Sequence, residues 1–254
     1  RIQESPLMSW LHSPRDVGGW EFTEDFALRT QTGFAIILGL TAIVTCFRTY
    51  SVLLILVSLI QLLIATAMWQ MADGFQIVSP WISASIAKLL PYLAQGGRVA
   101  APLVLLLYDR RDREPLAAWE SIARWGTSLA FAGHGLEALW HSPGFTDLIL
   151  FSALRAGISV SEATTKWMLS GIGLIDFLLA FLLVTRRWRF VAIYAAIWGL
   201  VTACSRITAF GWGFGWYEVL IRAAHFGLPA ALAIYWGKRP APPSVPASEP
   251  PSPR

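Results

Sequence analysis

The chain has 254 residues, of which 55% are hydrophobic and 14% are charged, and its mean hydropathy is +0.53. A soluble globular domain usually contains about 25% charged residues, so the composition excludes an ordinary soluble protein and indicates an integral membrane protein. The formal net charge of +4 does not indicate nucleic-acid binding, because most of the basic residues fall in short loops, where membrane topology explains them.

Seven apolar runs are long enough to cross a lipid bilayer, which takes about 20 residues of α-helix. They predict an all-α, polytopic integral membrane helix bundle with about seven transmembrane helices, at 31–48, 51–70, 89–108, 116–140, 167–185, 190–210 and 216–236. Three regions follow from this pattern. They are an extracytoplasmic N-terminal segment without the apolar core of a cleavable signal peptide at 1–30, the transmembrane bundle at 31–238, and a disordered Pro/Ser-rich cytoplasmic tail at 239–254.

Two of the connections between these runs contain apolar positions of their own. Residues 71–88 and the two leucines that follow include SPWISASIAKLL, which predicts a segment lying along the membrane surface. Residues 141–166 include FTDLILFSAL, which is too short to span and predicts an interfacial or re-entrant helix. Within the third run, Pro91, Pro102 and the glycine pair at 96–97 predict a kinked helix.

The distribution of basic residues predicts an N-terminus outside and a C-terminus in the cytoplasm. With that orientation, nine basic residues flank the inner connections: Arg48, Arg110, Arg111, Arg113, Arg186, Arg187, Arg189, Lys238 and Arg239. The outer segments contain six over a much longer stretch, and the outer turn GWGFGW contains none. Since cytoplasmic loops of membrane proteins are enriched in Lys and Arg, we expect a bacterial cytoplasmic (inner) membrane protein.

Eight ionisable residues fall in the outer half of the predicted bundle, on its third to seventh helices. They are Arg98, His134, Glu137, Asp176, Arg206, Glu218, Arg222 and His225. An ionised side chain near the bilayer centre costs at least about 2.5–3.5 kcal/mol, so we expect these groups to face one another or a cavity. The three arginines match the three carboxylates in number, which would suit a purely structural ion network. The alternative is a cavity, open to the outer face, that binds a small ligand or cofactor.

Haem is one candidate cofactor for such a cavity. His134 and His225 lie at similar depth on different helices and could be the two axial ligands of one haem iron. A metal site formed by these histidines with Glu137 and Glu218 is possible by ligand type. The spacing alone does not support it, so no metal ligand is assigned.

Quinone is the other candidate cofactor. Four tryptophans lie at the predicted outer interface: Trp140, Trp167, Trp212 and Trp216. Tryptophan commonly anchors helices at this depth, and the alternative is an aromatic mouth for a quinone or another aromatic ligand.

Several other residues have structural interpretations. Glu120 and Arg124 form an i, i+4 pair at the inner end of the fourth predicted helix, where they are expected to stabilise that helix. Cys46 and Cys204 lie within apolar runs and are interpreted as small core residues.

The sequence leaves three functional hypotheses open. The first is a ligand or cofactor site, quinone- or haem-linked, in an electron-transfer setting, where arginines hold anionic or carbonyl oxygens and the His/Glu pair exchanges protons or ligates. The second is a non-catalytic accessory subunit of a larger respiratory or photosynthetic complex. The third, a small-solute transporter, is less favoured because the sequence shows no inverted repeat and no pair of broken helices. No GxSxG, Walker A or dinucleotide motif is present, so enzymatic activity stays undecided.

Overall fold

The computed structural model describes residues 6–15, 19–71, 89–109 and 117–238. This part of the chain is helical and contains no β-strand. Its helices are α1 (Pro6–His12), α2 (Glu24–Phe47), α3 (Ser51–Met71), α4 (Leu90–Ala94), α5 (Gly96–Asp109), α6 (Ala117–Leu139), α7 (Pro143–Arg155), α8 (Glu162–Thr185), α9 (Arg189–Phe210), α10 (Trp212–Leu220) and α11 (Ala223–Gly237). The surface segment predicted at 71–88, except for its first residue, and the tail predicted at 239–254 lie outside the described residues.

Four helices are long and apolar enough to cross a membrane. They are Glu24–Phe47, Ser51–Gln70, Glu162–Thr185 and Arg189–Phe210, and they indicate a membrane protein, as the composition predicts. The first begins earlier than the predicted run at 31–48, because Thr23 caps it by accepting a hydrogen bond from the backbone N–H of Phe26. Glu24 and Asp25 in its first turn add a favourable interaction with the helix dipole.

The other three predicted spans are helical, but only one of them is a single continuous helix. Helix α6 is continuous over 23 residues. The run predicted at 89–108 is divided between α4 and α5 at Gln95, and the run at 216–236 is divided between α10 and α11 at Ile221 and Arg222. The third run, in which a kink was predicted, is therefore interrupted at Gln95, and a second interruption occurs in the last run.

Helix α6 lies at the centre of the bundle and packs against α4, α5, α8 and α11. Small residues allow these close approaches: a Cβ on Gly126 would meet Ala100 Cβ, and a Cβ on Gly173 would come within 2.7 Å of the Gly135 carbonyl. Other helices cover the side of α6 that carries Glu120, Thr127, Ser128 and Glu137, which are buried, while Trp125 is exposed. This explains how a less apolar helix fits inside the bundle.

Two helices contain an internal proline one turn after an ionisable residue. Pro102 follows Arg98 in α5, and Pro229 follows His225 in α11. Proline has no backbone N–H, so the carbonyl four residues earlier loses its helical hydrogen bond. The carbonyl of His225 lies against Gly199 of α9, where an added Cβ would come within 2.6 Å of it. Close packing of α9 on α11 therefore requires a glycine at this position.

Buried polar contacts join the helices at the end of the bundle that contains Glu120, which we call the Glu120 end. The Glu120 side chain is fully buried and accepts a hydrogen bond of 2.9 Å from the indole Nε1 of Trp236. Arg187 lies 3.0 Å from the same carboxylate oxygen. Arg124 donates to the carbonyls of Leu183 and Val184 at the end of α8. The sequence predicted a local pair, whereas these contacts join α6 to α8 and α11.

Two further sequence predictions concern the short helix α7 and the two cysteines. A short helix is present within 141–166, as expected, and α7 is about 20 Å long at 1.5 Å per residue, too short to span. Cys204 is partly buried, but Cys46 is exposed. The interpretation of Cys46 as a core residue is wrong, because α2 packs mainly against α1 and α3 and leaves most of its surface uncovered.

Candidate functional site

Seven of the eight predicted site residues come together at the end of the bundle opposite Glu120. We call them the polar cluster: Arg98 of α5, His134 and Glu137 of α6, Arg206 of α9, Glu218 of α10, Arg222 before α11, and His225 of α11. The charges of the three arginines act on one another and on both glutamates. Both interrupted helices contribute to the cluster close to their interruptions, and their second halves meet where Gly97 faces Ala224.

A chain of three side chains runs through the cluster. Nδ1 of His134 lies 3.0 Å from Oε2 of Glu137, and Nε2 of His134 lies 3.1 Å from Nε2 of His225. Nδ1 of His225 then lies 3.2 Å from the backbone carbonyl of Arg222. Glu137 and His225 are buried, while the His134 side chain is 25% exposed. His134 is therefore the member of this chain that is open to an incoming molecule.

The partners in this chain determine how many protons it holds. A carbonyl oxygen only accepts, so Nδ1 of His225 donates to Arg222. One proton must lie between the two Nε2 atoms, and one between His134 and Glu137, because two lone pairs at such distances repel. With these protons in place, Glu137 is either neutral or balanced by a charged His134. The three side chains together carry no net negative charge.

The arginines have fewer partners than buried guanidinium groups normally take. Arg98 donates to Oε1 of Gln95 at 3.1 Å, and Arg206 donates to the Thr202 carbonyl and the Ser205 hydroxyl, each at 3.0 Å. Arg222 donates to the carboxylate of Glu218. Among the described residues, the buried Nε atoms of Arg98 and Arg222 have no hydrogen-bond acceptor. Buried polar groups are nearly always satisfied, so two donors here are available to a ligand or water.

Asp176, the eighth predicted residue, pairs with a tryptophan and not with a member of the polar cluster. Its carboxylate accepts a hydrogen bond of 2.6 Å from Nε1 of Trp198, and no arginine among the described residues lies within salt-bridge distance of it. The three arginines, equal in number to the three carboxylates, therefore do not pair with them one to one in the described residues. Glu218 pairs with Arg222, Glu137 pairs with His134, and Asp176 binds an indole.

Sequence reasoning missed Phe145 of α7, which covers the cluster. Its ring centroid lies 5.9 Å from that of His134, and the guanidinium carbon of Arg206 lies 5.6 Å from it. Helix α7 is held by a 2.8 Å hydrogen bond between Ser152 and Thr208 of α9. Phe145 belongs to the segment predicted to be interfacial or re-entrant. A re-entrant helix turns back toward the bundle, and this property could have indicated that one of its residues covers the cluster.

The four tryptophans predicted at the outer interface differ in exposure, and Trp140 is partly buried. Trp167, Trp212 and Trp216 are exposed, as anchors in an interfacial belt would be. A surface opening of about 430 Å³ lies at the Glu120 end and not at the cluster; it is lined by Thr45, Phe47, Arg48, Thr49 and Asp109.

The geometry does not fit a haem between His134 and His225. A metal–imidazole bond is about 2 Å long, so two axial nitrogens would lie about 4 Å apart with the macrocycle between them. The two Nε2 atoms lie 3.1 Å apart and the ring centroids 5.0 Å apart, which leaves no room for the macrocycle. Within the described ranges, no group of three or more His, Cys, Asp or Glu side chains is placed to hold a metal ion.

Phosphate-, carboxylate- or carbonyl-bearing ligands suit the donors of the cluster better than metals do. Guanidinium groups only donate, and they bind anionic oxygens in a fixed, forked geometry. No protein-family model, curated protein or solved structure matches this chain. The function is therefore inferred from the chemistry of these side chains.

Proposed function

We propose that this chain is a seven-span protein of a bacterial inner membrane, with its N-terminus outside, that binds a small ligand through anionic or carbonyl oxygens at the polar cluster. The four apolar helices support the membrane location. The proposal adds the interrupted helices α4–α5 and α10–α11 and the enclosed helix α6 as further spans. The basic residues that flank α8, α9 and α11 at the Glu120 end support a cytoplasmic location for that end.

One observation carries the ligand proposal. The Nε atoms of Arg98 and Arg222 are buried donors without an acceptor among the described residues. Leaving a buried donor unsatisfied costs about 1–3 kcal/mol, so a protein that keeps two of them in one cluster gains by binding an acceptor. A purely structural network would instead pair each guanidinium with a carboxylate.

If the cluster works in electron transfer, a quinone is the cofactor that its hydrogen-bond donors would suit. Its carbonyl oxygens would accept hydrogen bonds from the arginines, and the partly exposed His134 would lie close enough to exchange the proton it shares with Glu137. Haem is not proposed, because the two imidazoles contact each other.

Calorimetric titration of the purified protein with two probes, a short-chain soluble quinone and inorganic phosphate, tests this proposal. Arg98→Gln and Arg222→Gln should each weaken binding by about tenfold or more, since each removes a charge-assisted donor. Arg29→Gln is the matched control, because Arg29 is exposed and pairs with Asp25 at 2.9 Å on α2. Binding that is unchanged in both cluster variants would remove the cluster as the ligand site.

The transporter hypothesis gains from the structure, since two interrupted helices meet at the cluster. Discontinuous membrane helices that touch at a polar site are typical of secondary transporters. Uptake of a labelled solute into proteoliposomes, lost in Arg98→Gln and retained in Arg29→Gln, would favour transport. Vesicles that bind the solute without accumulating it would favour a binding function alone.

An accessory-subunit function is the remaining alternative. Only 6% of the apolar window of α2 is buried within the chain, so this helix offers a large apolar surface to lipid or to another membrane protein. Stoichiometric partners that copurify in mild detergent would favour a subunit of a respiratory or photosynthetic complex, whereas a single monodisperse species would count against it.

The proposed topology is tested by cysteine labelling in a Cys46→Ala, Cys204→Ala background. Gly213→Cys at the cluster end should react with an impermeant maleimide added to intact cells. Arg186→Cys at the Glu120 end should react only after the cells are opened. The reverse pattern would invert the orientation.

A further inference from the structure

We infer that the ligand of the polar cluster is a small oxyanion with two negative charges, a phosphate or a dicarboxylate, and not a neutral molecule. This inference rests on the proposed ligand site and specifies its chemistry. It follows from the charges that the described side chains place together.

The His134–Glu137–His225 chain supplies no negative charge. Its contacts require one proton between the two Nε2 atoms, one between His134 and Glu137, and one on Nδ1 of His225. Adding further protons would make the chain positive. Glu137 therefore does not neutralise an arginine, although its side chain lies within range of their charges.

The arginines consequently exceed the available carboxylates. Arg98, Arg206 and Arg222 each carry a positive charge, and Glu218 is bound to Arg222. Asp176 is bound to Trp198 and lies outside salt-bridge distance of any described arginine. Three guanidinium charges against one carboxylate leave two positive charges within the described residues.

Two uncompensated charges in a partly buried site are costly unless a counter-charge is present. A neutral quinone could accept the two orphaned Nε–H groups but would leave that charge in place. A divalent oxyanion satisfies both requirements, because its oxygens accept from Arg98 and Arg222 and its charge balances the excess. Phosphate esters and dicarboxylates share this chemistry, and a phospholipid headgroup is a second source of it.

The test is calorimetric titration of the detergent-purified protein with inorganic phosphate, malonate, acetate and a short-chain neutral quinone. Phosphate and malonate should bind at least about tenfold more tightly than acetate, and their affinity should fall as salt is raised. Arg98→Gln should weaken phosphate binding by about tenfold or more, while Arg29→Gln should leave it unchanged. Arg98→Lys keeps the positive charge. A smaller loss of phosphate affinity in this variant than in Arg98→Gln would show that the loss follows charge and not misfolding.

Glu137→Gln tests the charge count directly. Because the inferred chain is already neutral overall, an uncharged amide at this position should give no gain in phosphate affinity. A tenfold gain in affinity would show that Glu137 is an anion in the site and would overturn the inference.

The other outcomes separate this inference from the function it rests on. Arg98-dependent binding of the quinone without binding of phosphate or malonate would overturn the inference and keep the ligand site. Binding of no probe to a folded protein would overturn both. Phosphate binding that is lost in vesicles containing phosphatidic acid, but kept in phosphatidylcholine vesicles, would support the oxyanion and identify a lipid headgroup as its source.

Discussion

The imidazole Nε2 atoms of His134 and His225 lie 3.1 Å apart, although the two residues are separated by 91 positions in the chain. This contact joins the central helix α6 to α11 beside the interruption that precedes α11. On one side His134 reaches Glu137, and on the other His225 reaches the backbone of Arg222. The pair therefore both positions the arginine and holds an exchangeable proton next to it.

Removing either imidazole should destabilise the protein through the same contact. We expect His134→Ala and His225→Ala to show a coupling free energy of about 0.5–1.5 kcal/mol in a double-mutant cycle, the usual range for one hydrogen bond. Denaturant unfolding in detergent measures it. His12→Ala provides a histidine variant outside the cluster, and additive effects of the two cluster variants would mean that the contact is not formed.

The purified protein should have no Soret absorption, whether oxidised in air or reduced with dithionite. The separation of the two Nε2 atoms is too short for an intervening haem iron and macrocycle. An absorption spectrum is sufficient to check this expectation. A Soret band that disappears in His134→Ala would show that the imidazoles separate to bind haem.

Gly199→Ala should lower the free energy of unfolding by about 1–3 kcal/mol, as overpacking of a closely packed site does. The added Cβ would come within 2.6 Å of the His225 carbonyl, a backbone atom that moves only with its helix. Gly171→Ala on α8 is the matched control, since a Cβ there meets nothing within 4 Å. Equal stability of the two variants would show that α9 and α11 are not in close contact.

Glu120→Ala should destabilise the protein by about 1–3 kcal/mol, because it removes the acceptor of the buried Trp236 indole. Arg187→Ala should cost less than about 1 kcal/mol, since the Arg187 side chain is 51% exposed. Both variants lie at the Glu120 end, so phosphate binding by the folded fraction should be retained. Loss of binding in a stable Glu120→Ala protein would indicate coupling between the two ends.

The apolar helices could be predicted from the sequence because lipid imposes a length and a composition on them. The ends of α2 could not be placed as well, since capping by Thr23 and two acidic residues extends the helix beyond its apolar run. The interruption at Ile221 and Arg222 was also missed. No glycine or proline marks it, and it lies where the chain turns toward packing partners on α9.

The members of the site could be predicted from the sequence, but the contacts among them could not. The positions of these ionisable residues within their apolar runs predict one shared depth in the membrane. Seven of the eight do meet. Their pairing depends on the rotation of each helix about its axis, which tertiary packing sets. Asp176 faces Trp198 and not an arginine for that reason. Phe145 was missed because a short interfacial helix gives no indication of the residue it turns inward.

The sparse packing of α2 makes its tilt depend on the thickness of the bilayer. The apolar part of this helix, 31–47, is about 26 Å long at 1.5 Å per residue, and a hydrocarbon core is about 30 Å thick. Ala27 near its first turn is fully buried against α1, so that end is the fixed pivot. In a thinner membrane the helix would tilt about that end, within the limit set by the three-residue link from Phe47 to α3 at Ser51. Because α2 contributes no residue to the polar cluster, hydrophobic mismatch would move this helix and leave the cluster in place.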